Sequence, residues 1–267
     1  MGFPELVEID IRGINNLILI PNNQIVPHSF CKLQNLFAHN CGNLKKVFPR
    51  NMLRTLQNLN KLEILDCASV EEIFEIRGIY IEETTQMVES MLRDLKLYNL
   101  PNLNHVWNSN PQEILTFENL REVDIDGCIG LKSVFPISVA KNLAQLQFLC
   151  IKNCAVEEIV AMEEESETTI EFLLPKVTSL ILQDLPELKC FYPRKHTLLW
   201  PSLKRLEIYR CPKVKIVSSG DLSWQDTNRF GLNHFPIQQP LFPIEKVRTR
   251  TIYFVSMYMI PTIIILQ

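Results

Sequence analysis

One six-position apolar signature returns again and again along this chain, and it decides what the chain can fold into. The run Leu59-x-x-Leu62-x-Ile64-x-x-Cys67-x-x-Val70-x-x-Ile73 recurs with anchors at Ile9, Leu36, Leu62, Leu95, Val123, Leu149, Leu180 and Leu206. Successive anchors lie 27, 26, 33, 28, 26, 31 and 26 residues apart. Self-similarity at such a period marks stacked supersecondary units rather than one central core. Counted from the anchor, the apolar positions are −3, 0, +2, +5, +8 and +11, with one single-residue deletion after Cys154. All 48 slots of the eight copies are apolar, where a chain that is 46% hydrophobic fills about 22 by chance.

The spacing has a physical reading. Apolar residues at 0 and +2 alternate with the period of a strand that buries one face. Each copy is therefore expected to supply one short strand, near residues 8–11, 35–38, 61–64, 94–97, 122–125, 148–151, 179–182 and 205–208. The three-residue rhythm from +2 to +11 suits a tight, partly 3₁₀ return that points one side chain inward per turn. No copy can bury its stripe alone, so the copies stack and the strands line up in parallel. Length and pattern are those of a leucine-rich repeat. The expected fold is an α/β repeat solenoid: a leucine-rich-repeat horseshoe with one parallel sheet on the concave face and mostly irregular or 3₁₀ convex returns.

The solenoid is expected to span residues 1–220 with about eight repeats, the pattern being lost after Val217. Residues 221–250, rich in Ser, Asn, Gln, Pro and charge, read as an irregular linker. Residues 251–267 form an apolar C-terminal tail interrupted by Pro261. It is shorter than the roughly 20 residues a membrane-crossing helix needs, and it reads as a truncation product. Lys246, Arg248 and Arg250 just before it keep a membrane-proximal anchor open as the alternative.

Five of the eight cysteines, Cys41, Cys67, Cys128, Cys154 and Cys211, fall in the single +5 column, with Ile14, Leu100 and Leu185 filling the rest. A small buried thiol suits the turn that leaves each strand. These five are expected to be buried and unpaired, and Cys150, at +1, to lie on the concave face and react faster with thiol reagents. A chain of 267 residues needs no disulfide staples. It has no Cys-x-x-Cys pair and its five histidines are scattered, so no metal site is expected.

A formal charge of −3, from 27 basic and 30 acidic residues, gives no positive field for phosphates and excludes nucleic acid as the main partner. The opening Met1-Gly2-Phe3-Pro4-Glu5-Leu6 has neither a secretory pattern nor a myristoylation signal. No Asn-x-Ser/Thr sequon occurs either, so a cytoplasmic location is expected. The chain shows no Gly-x-Ser-x-Gly elbow, no His-Glu-x-x-His helix and no phosphate-cradling loop. Neither catalysis nor a cofactor is expected.

The residues also carry a resemblance. Phe117-Glu-Asn-Leu-Arg-Glu-Val-Asp-Ile-Asp-Gly-Cys128 and Trp200-Pro-Ser-Leu-Lys-Arg-Leu-Glu-Ile-Tyr-Arg-Cys211 resemble the C-terminal leucine-rich repeats of plant nucleotide-binding leucine-rich-repeat disease-resistance proteins, the coiled-coil class of intracellular immune receptor. Leu182-Gln-Asp-Leu-Pro-Glu-Leu188 and Gln239-Pro-Leu-Phe-Pro-Ile-Glu-Lys246 are similar to the same family, and the likeness covers about residues 3–246. It implies a non-catalytic module of innate immunity that binds a pathogen effector, a guarded host protein or a nucleotide-binding switch domain. The chain itself contains no Gly-Lys dipeptide, so the resemblance does not bring nucleotide binding with it. The alternative is a generic adaptor or scaffold, such as the substrate-receptor arm of a ubiquitin ligase.

Horseshoe solenoids bind partners on the concave face, where the strand residues at +1 and +3 point. The candidate partner-binding residues are Arg12, Phe37, His39, Glu63, Leu65, Lys96, Tyr98, Asp124, Asp126, Lys152, Gln183, Glu207 and Tyr209. Ile181 and Tyr209 join Phe37, His39, Leu65 and Tyr98 as apolar and aromatic area of the kind found at interface hot spots. Two acidic runs, Glu71 to Glu89 and Glu157 to Glu171, fall in the longest spacings and read as solvated loop insertions.

Overall fold

The computed structural model describes residues 3–15, 30–49, 52, 56–76, 88–107, 115–162, 170–194 and 196–214. The expected linker and tail lie outside the described residues, as do Glu82, Glu83, Glu163, Glu164, Glu165 and Glu167.

Eight strands form one sheet: Glu8–Arg12, Asn35–His39, Lys61–Leu65, Asp94–Tyr98, Glu122–Asp126, Phe148–Lys152, Ser179–Gln183 and Arg205–Tyr209. Their order in the sheet is their order in the chain, and every pairing is parallel. Anchor pairs with anchor throughout, from Ile9↔Leu36 to Leu180↔Leu206, so the strands carry no stagger. The periodicity placed each strand to within one residue, and the leucine-rich-repeat horseshoe is the fold of this chain.

Each strand ends on a residue with positive φ at +4: Gly13, Asn40, Asp66, Asn99, Gly127, Asn153, Asp184 and Arg210, all between 49° and 71°. Gly, Asn and Asp tolerate this left-handed conformation best. The turn redirects each +4 amide onto the +3 carbonyl of the following strand. Gly13 N–H donates to His39, Asn40 to Leu65, Asp66 to Tyr98, Asn99 to Asp126, Gly127 to Lys152, Asn153 to Gln183 and Asp184 to Tyr209, at 2.8–3.1 Å. Gly127 is fixed twice over, because a Cβ there would lie 2.5 Å from Asn99 Oδ1.

Behind the sheet, the columns at −3, 0 and +2 are buried from the second repeat to the seventh. The deletion after Cys154 is real: Val156 and Ile159, which it brings to +8 and +11, are completely buried. In the +5 column the thiol sits against carbonyls of its own and the preceding strand. Cys67 Sγ lies 3.5 Å from Ala38 O and 3.4 Å from Leu65 O, and Cys41 N–H donates to Cys67 Sγ at 3.3 Å. All the described cysteines are free, and of the five only Cys211, in the last described repeat, is half-exposed.

The convex returns are more regular than expected. Short parallel ladders join Lys46–Phe48, Glu72–Phe74 and His105–Trp107, and likewise Ser133–Phe135 with Glu158–Val160, Val88–Glu89 with Leu115–Thr116, and Ile170–Leu173 with His196–Leu199. One five-residue helix, Ile137–Lys141, is present among the described residues. At +12 an aromatic column runs down the ladder: Phe48 and Phe74 stack at 5.6 Å between ring centroids, Phe74 and Trp107 at 5.8 Å, and Trp107 meets Phe135 at 5.6 Å. Aromatic pairs at such distances add to ordinary burial.

The ladders also correct the reading of the acidic runs as loops. Glu72 and Glu158 lie in strands, and burial pushes the Glu158 carboxyl above its usual range. Glu157 bridges Lys189 at 2.8 Å and Lys132 at 3.6 Å, linking three successive repeats. The Lys189 hydrogen bond holds its carboxyl below the ordinary value.

Candidate functional site

Strand alternation turns residues −1, +1 and +3 of every repeat toward the open, concave face. All thirteen candidate residues lie there, drawn from the +1 and +3 columns of all eight strands. The −1 column, Glu8, Asn35, Lys61, Asp94, Glu122, Phe148, Ser179 and Arg205, shares the face and was missing from the candidates. The same two-residue alternation, extended one step back from the anchor, locates it.

Zero stagger sets these side chains in rows, and many pair within or along a row. On the first strand Arg12 makes two hydrogen bonds to Asp10, at 2.9 and 2.8 Å, which hold the Asp10 carboxyl below its usual range. His39 Nε2 lies 3.1 Å from Glu63 Oε1. Lys96 Nζ lies 2.9 Å from Glu122 Oε1, a contact that raises the ammonium's pKa. Tyr98 donates its hydroxyl to Asp124 Oδ2 at 2.9 Å, and Asn153 donates its amide to Asp126 Oδ1 at 2.7 Å. Burial first, and the Asp124 hydrogen bond second, push the Tyr98 phenol well above the ordinary tyrosine range.

Toward the sixth and seventh strands the face changes character. Phe148, Cys150, Ser179, Ile181 and Gln183 are uncharged, with Lys152 beside them. Cys150 does lie on this face, but it is only 1% exposed and Ile181 only 7%. This corrects two expectations. The neighbouring side chains close over the Cys150 thiol, and desolvation followed by the charge of Asp124 pushes it up to about 12. A thiol held neutral and covered does not react fast, and Ile181 offers little area to a partner. The available apolar surface here is instead Phe148, half-buried, and Tyr209, whose ring carries the Arg210 guanidinium 4.7 Å from its centroid.

Among the described residues no group of three or more His, Cys, Asp or Glu is placed to hold a metal ion. No helix among them is long and apolar enough to cross a membrane. What the face offers is a row-by-row array of hydrogen-bonding, ionic and aromatic groups on a rigid lattice. That defines a leucine-rich-repeat scaffold.

Residues 5–155 match the family described as plant disease resistance protein RPS2-like, leucine-rich repeats, and the chain belongs to that family. A probable disease resistance protein of Arabidopsis thaliana is 26% identical over 133 residues, 49% of this chain and 14% of its own length. A putative disease resistance protein of the same plant is 35% identical over 106 residues, 38% of this chain and 12% of the relative. A second probable one is 24% identical over 231 residues, 79% of this chain and 31% of the relative. The chain thus spans less than a third of the length of each of these relatives.

Proposed function

We propose that this chain is a non-catalytic recognition module of plant defence whose concave sheet face docks a protein: a pathogen effector, a host protein that the effector modifies, or a nucleotide-binding switch domain. The observation that carries the reading is the lattice itself. Eight unstaggered strands hold aromatic, ionic and amide side chains in register on one face, while the core behind them is complete without those groups. Such surfaces recognise proteins through a few aromatic and arginine anchors surrounded by polar contacts. The disease-resistance relatives supply the biological setting, and a cytoplasmic place of work follows from that setting.

A photo-crosslinking side chain placed at Tyr209 or Lys152, on the concave face, is expected to capture a specific protein from infected plant tissue. The same group at Ile129, which is 62% exposed in a turn after the fifth strand, is expected to capture nothing specific. Capture of one protein from Ile129 but not from the concave positions would place recognition elsewhere.

A further inference from the structure

We infer that the two ends of this solenoid are complementary and that a second copy of the chain docks there head to tail, the Glu8–Arg12 strand of one copy continuing the sheet beyond the Arg205–Tyr209 strand of the other. Each of these strands pairs on one side only among the described residues. The first repeat lacks the polar outer face that closes the end of a solenoid. Phe3, Val7 and Ile14, three of the six large apolar side chains exposed among the described residues, all belong to it, at 52%, 43% and 47% exposure. Ile14 stands in the +5 column, where Cys41, Cys67, Leu100, Cys128 and Leu185 are completely buried, and Ile9 and Ile11, at 0 and +2, are only half-buried. At the far end Ile208, Cys211 and Val214, at +2, +5 and +8, are half-buried as well.

The backbones of the two edges also match. At all seven internal junctions the amides at −2 and −1 of the later repeat donate to the −2 carbonyl of the earlier one, from Gln34 and Asn35 on Val7 to Lys204 and Arg205 on Thr178. At all seven the +4 amide of the earlier repeat donates to the +3 carbonyl of the later one. On the outer edge of the first strand the Val7 and Glu8 N–H groups and the Arg12 C=O have no partner among the described residues, and on the outer edge of the last neither do Lys204 C=O and Arg210 N–H. These are the two halves of one more such junction. Arg210 already holds the positive φ, 51°, that aims its amide at a following strand.

Side chains select the occupant. In the register that every internal junction keeps, Leu206 and Ile208 meet Ile9 and Ile11 of the second copy, and Cys211 meets Ile14 of the second copy. Arg205 then lies beside Glu8 of the second copy, and Tyr209 beside Arg12 of the second copy. Residues at −1 already touch across internal junctions: Asn35 donates to Glu8 at 3.1 Å, and Lys61 lies 3.9 Å from Asp94. Glu207 and Asp10 fall together as like charges, but each is held by an arginine of its own strand, Arg205 at 2.7 Å and Arg12 at 2.8 Å. Residues 3–15 carry three acidic side chains and one basic, whereas residues 201–214 carry four basic and one acidic. Like ends repel and unlike ends attract, which favours head to tail over pairing of two first or two last ends. Such a contact is heterologous, so each added copy leaves a fresh end open, and the concave face runs on from one copy into the next. The ends meet in this way whichever protein that face binds.

Two blocked variants of the full chain test the contact, E8R/I14D at the first end and R205E/V214D at the last. In sedimentation the unsubstituted chain is expected to exceed the mass of a dimer as its concentration rises toward about 100 µM. Each blocked variant alone is expected to remain a monomer, and an equimolar mixture of the two, in which one intact first end and one intact last end remain, to form a dimer and nothing larger. Separately, mixed E8C and R205C chains are expected to form an intermolecular disulfide about tenfold faster than either chain alone. The proposal is overturned by an unsubstituted chain that stays monomeric at that concentration, by a blocked variant that still assembles alone, or by equal crosslinking rates. It is overturned too by a mixture without dimer in which both variants keep the circular dichroism of the unsubstituted chain. Glu8 and Arg205 are exposed, so the cysteine pair reads the contact even where a blocked variant fails to fold.

Discussion

The Tyr98 hydroxyl donates to the Asp124 carboxylate at 2.9 Å, tying the fourth strand to the fifth across the middle of the concave face. A hydrogen bond to a charged acceptor contributes about 1.5 kcal/mol, the low end of its range, where the pair is only half-buried. Tyr98→Phe is therefore expected to lower unfolding free energy by about that amount in urea titration. Leu95→Ala, on the core side of the same strand, is expected to cost roughly 2–5 kcal/mol. A Tyr98→Phe loss as large as that of Leu95→Ala would show that the phenol is part of the core.

Stability should also fall on the alkaline side. The folded chain raises the Tyr98 phenol, brings Cys67 to about 11 and Cys150 to about 12, and so keeps protons that the unfolded chain releases at ordinary values near 9 and 10. The contribution is complete below those unfolded values and is lost as pH climbs from about 9 toward the raised ones. Urea midpoints measured at pH 7, 9 and 10.5 are expected to drop slightly in the first step and most in the last. A midpoint that rises across that interval contradicts the assignment.

Thiol labelling of the native chain separates the cysteines. Cys31, half-exposed and outside the +5 column, is expected to react first, whereas Cys41, Cys67, Cys128, Cys150 and Cys154 resist until urea is added. Rapid labelling of Cys150 would mean that the side chains around it open readily.

Two glycines with the same backbone conformation should respond differently to a methyl group. Gly13→Ala meets no atom within 4 Å and carries only the strain of φ +69°, about 1–2 kcal/mol. Gly127→Ala has the same strain and also drives its Cβ to 2.5 Å from Asn99 Oδ1, so it is expected to cost more. Chemical denaturation of the two variants side by side measures the difference, and equal losses would count against the clash.

On the convex side, Trp107→Ala removes the ring that Phe74, Phe117 and Phe135 all contact. Truncation of so large a buried aromatic is expected to cost about 3–5 kcal/mol. Calorimetry tests this; a loss below 1 kcal/mol would reduce the aromatic column to ordinary surface contact.

The strands were legible because two periods coincide in every repeat: alternation at 0 and +2 marks the strand, and the threefold rhythm marks the return. The rhythm at +5, +8 and +11 shows which side chains turn inward but not what the backbone does between them. Short ladders such as Glu72–Phe74 therefore passed for irregular or 3₁₀ turns, and the carboxylates on them for loop charge. The +4 column of Gly, Asn and Asp was visible in the sequence, and its meaning depended on Asp66 and Asn99 being read together as left-handed positions. The burial of Cys150 was not legible. Whether an outward side chain is covered depends on residues about 30 positions away on flanking strands, here Asp124 and Ile181, which no local pattern connects to it.

The absence of stagger between strands gives the concave face a simple grammar. Eight strands with three outward positions each make 24 addresses, one strand spacing of about 4.8 Å apart in one direction and two residues apart in the other. A change at one address alters the surface there and at the address paired with it, as Tyr98 is with Asp124, while the core columns lie on the other side of the same strand. A scaffold of this kind can be respelled letter by letter, from Arg12 at one corner to Arg205 at the other, with no repacking of the leucines that hold it up.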